Sequence, residues 1–170
     1  MRIQSMQDLF IEQIQDLYDA EERLIKALPK MAEASTSAEL RGAFEDHLQE
    51  TKHQVRRLEQ VFDELGIPAG GETCEAMKGL IKEGEEIIGD VKQSALRDAG
   101  LIAAANRVEH YEIAGYGTAR TFAESLGLTR AAELLQETLA EERKADEKLT
   151  RIAESKVNVE AMSGGVRHAR

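Results

Sequence analysis

Phe10, Ile14, Leu17, Leu24 and Leu28 recur at near-helical spacing along one stripe of the N-terminal segment. Steps of three and four keep apolar side chains on one face of a helix, so this row predicts an amphipathic helix over residues 5–34. Ser5 followed by Asp8 resembles a capping start. Pro29 is expected to bend the helix rather than end it, because the row resumes at Met31.

The spacing predicts a second helix over residues 36–65, opened by the cap-like pair Thr36 and Glu39. It carries Leu40, Phe44, Leu48, Val55, Leu58 and Val61, and stops before Gly66 and Pro68. A long connection follows, with a shorter helix expected over residues 73–88 and weakened by its own glycines. Two more long helices are expected over residues 94–125 and 129–155, joined through Gly127 as a C-cap. Residues 157–170 lose periodicity and are expected to fray. Two helical hairpins joined by a long crossover wire a four-helix bundle, so residues 1–156 read as one all-α domain.

The two halves also match each other. A shift of 91 places pairs Phe10 with Leu101, Glu21 with Glu112, Leu48 with Leu139, Leu58 with Leu149 and Val61 with Ile152, the pattern of an internal duplication.

Acids interrupt the apolar stripes at mid-helix. Glu21 fills the gap between Leu17 and Leu24. In the third long helix Glu109 and Glu112 lie on the stripe of Leu101, Ala105 and Tyr116. In the fourth, Glu142 and Asp146 interrupt Leu135, Leu139, Leu149 and Ile152. The second helix offers Glu50 with His47 and His53 in the stretch HLQETKHQ. A single such acid reads most simply as a boundary residue whose carboxylate reaches water. Acids on four inward faces are different, because ionised carboxylates in a dry core need positive charge, and no Lys or Arg shares those positions. Two divalent cations would balance four carboxylates. A carboxylate-rich set with few imidazoles suits iron or manganese, with zinc also admissible.

Composition sharpens the picture. There is no Trp, the aromatic content is 4%, and the formal charge is −10. Such a chain favours helix over sheet and is expected to bind neither nucleic acid nor an anionic membrane surface. The lone Cys74 makes no intrachain disulfide and reads as a small apolar side chain. With an N-terminus unlike a signal peptide, this points to a cytoplasmic protein.

The segments DLYDAEERLIKALPKMAEAS, AFEDHLQET, GLIAAANRVEHYEIAGYGTARTFAESLG and TLAEERKADEKLT, in that order, resemble the YciE/YciF-like family of bacterial stress proteins, within the ferritin-like superfamily. The resemblance covers residues 3–155. It implies a ferritin-like four-helix bundle, a di-iron type site and a homodimer, with a poorly defined activity. The superfamily pattern of one Glu from each of two helices and Glu-x-x-His from each of the other two maps onto Glu21, onto Glu50 with His53, onto Glu112 or Glu109, and onto Glu142. The last helix lacks the imidazole, and Asp146 is the available substitute. The repeat places Gln54 in competition with His53. His47 is expected only to support Glu50, His110 to stay at the boundary, and His168 to have no role. Tyr18 and Tyr116 are open candidates for hydrogen bonding or electron transfer near the site, while Tyr111 reads as a packing residue. Gly115 and Gly117 suggest close helix approach.

Three functions remain in view, one of them metal storage in a larger cage. The first is a metalloprotein with two divalent ions, iron foremost, and an oxidase- or peroxidase-type reaction with a small oxidant. The second is a non-catalytic helical stress or assembly protein without stoichiometric metal.

Overall fold

The computed structural model describes residues 3–165, and every regular element among them is helical. Helix α1 spans Met6–Ala34, α2 Ala38–Leu65, α3 Glu75–Asp90, α4 Ala95–Ser125, α5 Thr129–Ile152 and α6 Asn158–Gly165. Helices α1, α2, α5 and α4 pack in a closed ring, each against the next, and α3 lies across α1 and α4. This is the ferritin-like bundle, with α3 in the crossover. No helix among the described residues is long and apolar enough to cross a membrane.

The helix ends follow local chemistry. Ser5 accepts a hydrogen bond from the Asp8 amide, and α1 runs on through Pro29. For α2 the cap is Ser37, one residue later than the sequence suggests, because Asp98 of α4 accepts from the amides of both Thr36 and Ser37 at 2.8 Å. That carboxylate satisfies two amides that the turn between helices would otherwise leave bare. Gly66 and Gly127 take the left-handed conformation after α2 and α4, with φ of 67° and 74°.

Beyond α5 the chain does not fray at once. Residues Ala153–Val157 form a π-helical turn that leads into α6, and Val157 is buried with Ile152. The widened turn brings a residue five places on beneath its predecessor, which is why a helical period fails here although the helix continues. The fraying expected for residues 166–170, and His168, lie outside the described residues.

Gly115 meets the expectation of close approach, since a Cβ there would come within 2.8 Å of a Leu17 methyl carbon. Gly117 does not, with open space around it.

The core is split in two. One apolar cluster includes Leu24, Leu28, Leu40, Phe44, Leu101 and Ile152. The other includes Phe10, Ile14, Leu17, Leu58, Phe62, Tyr116 and Leu135. Along the helices, Glu21, His47, Thr51, Gln54, Glu109, Glu112 and Glu142 fall between the two clusters and are buried. The polar layer is held in place by the apolar packing on both sides, each large side chain contributing about 1.5–3 kcal/mol.

Candidate metal centre

Four buried side chains from three helices converge at this layer. One ligand atom from each of His47, Glu109, Glu112 and Glu142 can be chosen so that all lie within 4.8 Å of one another. His47 Nε2 stands 3.3 Å from Glu109 Oε1 and 3.7 Å from Glu142 Oε2. Glu21 adjoins the group from α1, close enough that its charge and those of Glu112 and Glu142 act on one another. Its Oε1 accepts a hydrogen bond from the hydroxyl of fully buried Tyr116.

The electrostatics are unfavourable for bare carboxylates. Burial, and then the neighbouring carboxylates, push the acids of Glu21, Glu109 and Glu112 well above the usual range. Burial alone would lower His47. The Glu50 hydrogen bond at 3.3 Å from Nδ1 and the charges of Glu142 and Glu50 outweigh it and raise the imidazole. The same bond lowers Glu50.

The layer also leaves hydrogen-bonding capacity unused. Both carboxylate oxygens of Glu112 and of Glu142, Glu109 Oε2, Glu21 Oε2 and His47 Nε2 are buried without a hydrogen-bond partner among the described residues. Glu109 Oε1 is near His47 Nε2, but not in hydrogen-bonding geometry. Each such group costs about 1–3 kcal/mol, more if charged. Unpartnered oxygens and one imidazole nitrogen aimed at a common centre fit a divalent cation of the carboxylate-preferring kind.

The placements differ from the sequence expectation on α2 and at the end of the α5 stripe. His53 is exposed, and the buried residue beside it is Gln54, which donates to Glu141 Oε2 at 3.1 Å. His53 is therefore not brought to the cluster, and the imidazole that is comes from His47. Glu50 is not in the buried group either: its side chain is 46% exposed and rests on His47 Nδ1. Asp146 sits at the edge, taken up by Asn106 at 2.6 Å and lying 3.3 Å from exposed His110.

The sequence did contain a signal for His47. The stripe Phe44, His47, Thr51, Gln54, Leu58 alternates steps of three and four, and the shift of 91 pairs buried Thr51 with buried Glu142. Cys74 and Tyr111 are also more than packing residues. The thiol caps α3 by accepting from the Met77 amide and lies 3.1 Å from the Tyr111 hydroxyl, which donates to Asp16. Burial pushes the Cys74 thiol up to about 11.

Fold and site together define a helical-bundle protein with a buried carboxylate–histidine cluster. The chain belongs to the family described as "Domain of unknown function (DUF892)", which it matches over residues 5–162. It is 46% identical over 162 residues to Protein YciF of Escherichia coli (strain K12), covering 95% of this chain and 98% of the relative. The crystal structure of that E. coli stress protein superposes with a TM-score of 0.88 over 92% of this chain and 99% of the other. A second solved structure, "YcfI, a putative structural protein from Rhodopseudomonas palustris", gives 0.85 at 44% identity, over 87% of this chain and 94% of the other.

Proposed function

We propose that the protein is a metalloprotein whose buried cluster holds two divalent cations, iron foremost or manganese, and that it serves stress protection in the cytoplasm as a homodimer. The observation that carries this reading is the set of unpartnered buried oxygens on Glu109, Glu112 and Glu142 gathered with His47 Nε2, with the free oxygen of Glu21 near Glu112 and Glu142. Four carboxylates match the charge of two divalent ions, and hard oxygen donors with one imidazole suit iron or manganese. The E. coli relative's description as a stress protein supports the physiological setting.

The residues divide the work. Glu109, Glu112, Glu142 and His47 supply donors, with Glu21 completing the set from α1. Tyr116 fixes one Glu21 oxygen and leaves the other free. Glu50 orients the His47 ring through Nδ1, so that Nε2 points inward. Leu17, Leu24, Phe44 and Leu139 exclude bulk water above and below. Bound ions would supply Lewis acidity and, if iron or manganese, electrons for a small oxidant such as oxygen or a peroxide.

A second reading has its own support. Burial and the neighbouring Glu142 hold the Glu109 acid well above its ordinary range, and Tyr116 already satisfies one oxygen of Glu21, so a protonated, metal-free core could serve a purely structural protein. The description of the Rhodopseudomonas palustris structure points the same way.

Elemental analysis of protein purified without chelator separates the two. Stoichiometric iron or manganese, lost in Glu112→Ala with Glu142→Ala while the variant stays helical, supports the metalloprotein. Metal content that is negligible, or unchanged in the double variant, rejects it.

A further inference from the structure

The polar layer is not sealed on all sides. A pocket of about 360 Å³ opens between α2 and α5 and is lined by Asp46, His47, Glu50, Glu109, Lys144 and Lys148, among others. Two of these, His47 and Glu109, belong to the buried cluster, so the pocket reaches from the surface to the cluster itself. The His47 side chain is only 7% exposed, and its unpartnered Nε2 faces Glu109. Across the mouth, Lys148 of α5 holds Asp46 of α2 at 2.9 Å, with side chains 37% and 72% exposed. Half-exposed Glu50 contacts His47 Nδ1 at 3.3 Å and feels the charges of both Lys148 and Asp46.

We propose that this pocket is the route by which a divalent cation enters the buried cluster, with the Lys148–Asp46 pair at its mouth setting the rate of entry. The inference rests on the metal-binding reading and adds to it a path and a gate. The order of groups is what an incoming cation needs: exposed Asp46, half-exposed Glu50, then His47 and Glu109. Each step exchanges hydration for carboxylate or imidazole donors before the next is reached. An exposed ion pair adds little stability, so it opens readily and frees Asp46 to meet the ion. Lys148 opposes entry through its charge, a screened effect that weakens with salt. The gate therefore acts on rate and leaves the equilibrium capacity of the cluster unchanged.

The test is stopped-flow loading of metal-free full-length protein with Mn²⁺, followed by a fluorescent indicator of the free ion, with final stoichiometry measured on the same samples. Lys148→Ala and Lys148→Glu are expected to load faster, the latter by about twofold or more at low salt. Asp46→Lys is expected to load more slowly. All three reach the wild-type stoichiometry, and the rate differences shrink at high salt. Lys82→Glu, a charge reversal on α3, leaves the rate unchanged. Saturable binding with wild-type rates in the Lys148 and Asp46 variants, or equal acceleration by Lys82→Glu, overturns the route while leaving the cluster intact. Absence of saturable Mn²⁺ binding in the wild type rejects the cluster reading, and the route with it.

Discussion

Tyr116 donates its hydroxyl hydrogen to Glu21 inside the bundle, where neither side chain meets solvent. The bond joins α4 to α1 at the boundary between the polar layer and one apolar cluster. Burial and the charge of Glu21 both raise the Tyr116 phenol, so it stays a donor at any physiological pH. Replacing it with Phe removes the only hydrogen bond that the Glu21 carboxyl makes among the described residues and leaves both oxygens bare. Tyr116→Phe is expected to lower the stability of metal-free protein by about 1–3 kcal/mol in urea denaturation. A bound cation should recover part of that loss.

The metal-free protein should lose stability as pH rises. Glu21, Glu109 and Glu112 have acids raised well above an ordinary glutamate's, so above the ordinary value the folded state holds more protons than the unfolded one. Stability from these groups is fully present below the unfolded value and falls as pH climbs through the folded values. His47, raised above 6.5, works in the same direction at higher pH. Glu50 is lowered and works oppositely, losing its contribution only as the pH drops below 4.5. Thermal unfolding of chelator-treated protein from pH 5 to 8 is expected to show a falling midpoint, and saturating Mn²⁺ should reverse the trend, since ligands bind the deprotonated site.

Removing one inner charge should help the empty protein and harm the loaded one. Glu112→Gln takes away a carboxylate with two unpartnered oxygens, and is expected to stabilise metal-free protein at neutral pH by about 1–3 kcal/mol. The same variant should lose at least one equivalent of metal. Calorimetric melts with and without Mn²⁺ check both signs.

The two histidines of HLQETKHQ should behave differently. His47→Ala is expected to weaken metal affinity by more than about tenfold, whereas His53→Ala, at an exposed position, should leave it within error. Isothermal titration with Mn²⁺ gives the comparison directly.

That contrast shows what the sequence made legible. Glu21, Glu109, Glu112 and Glu142 were readable because each interrupts an otherwise regular apolar stripe, and the structure buries all four in one layer. On α2 the structure turns Gln54 inward and His53 outward, a choice that the sequence leaves open. Successive steps of three fall short of a full turn by about 60° each, so His47 and His53 point about 120° apart. Only the alternation through Thr51 keeps to the inner face. Asp146 lies at the edge for a related reason: a step of four from Glu142 overshoots the turn by about 40°, enough at the rim of the bundle for Asn106 to bond it. The Asp98 cap and the π turn before Val157 were out of reach, since one depends on a residue 61 positions away and the other on a local break in helical period. The bundle itself was plain from helix lengths and the long crossover.

The most direct test is anomalous diffraction from crystals grown with Mn²⁺ or, without oxygen, with Fe²⁺. Two anomalous peaks are expected among Glu21, His47, Glu109, Glu112 and Glu142, with His53 facing solvent. Fully ordered carboxylates at that layer with no anomalous density between them would contradict that expectation.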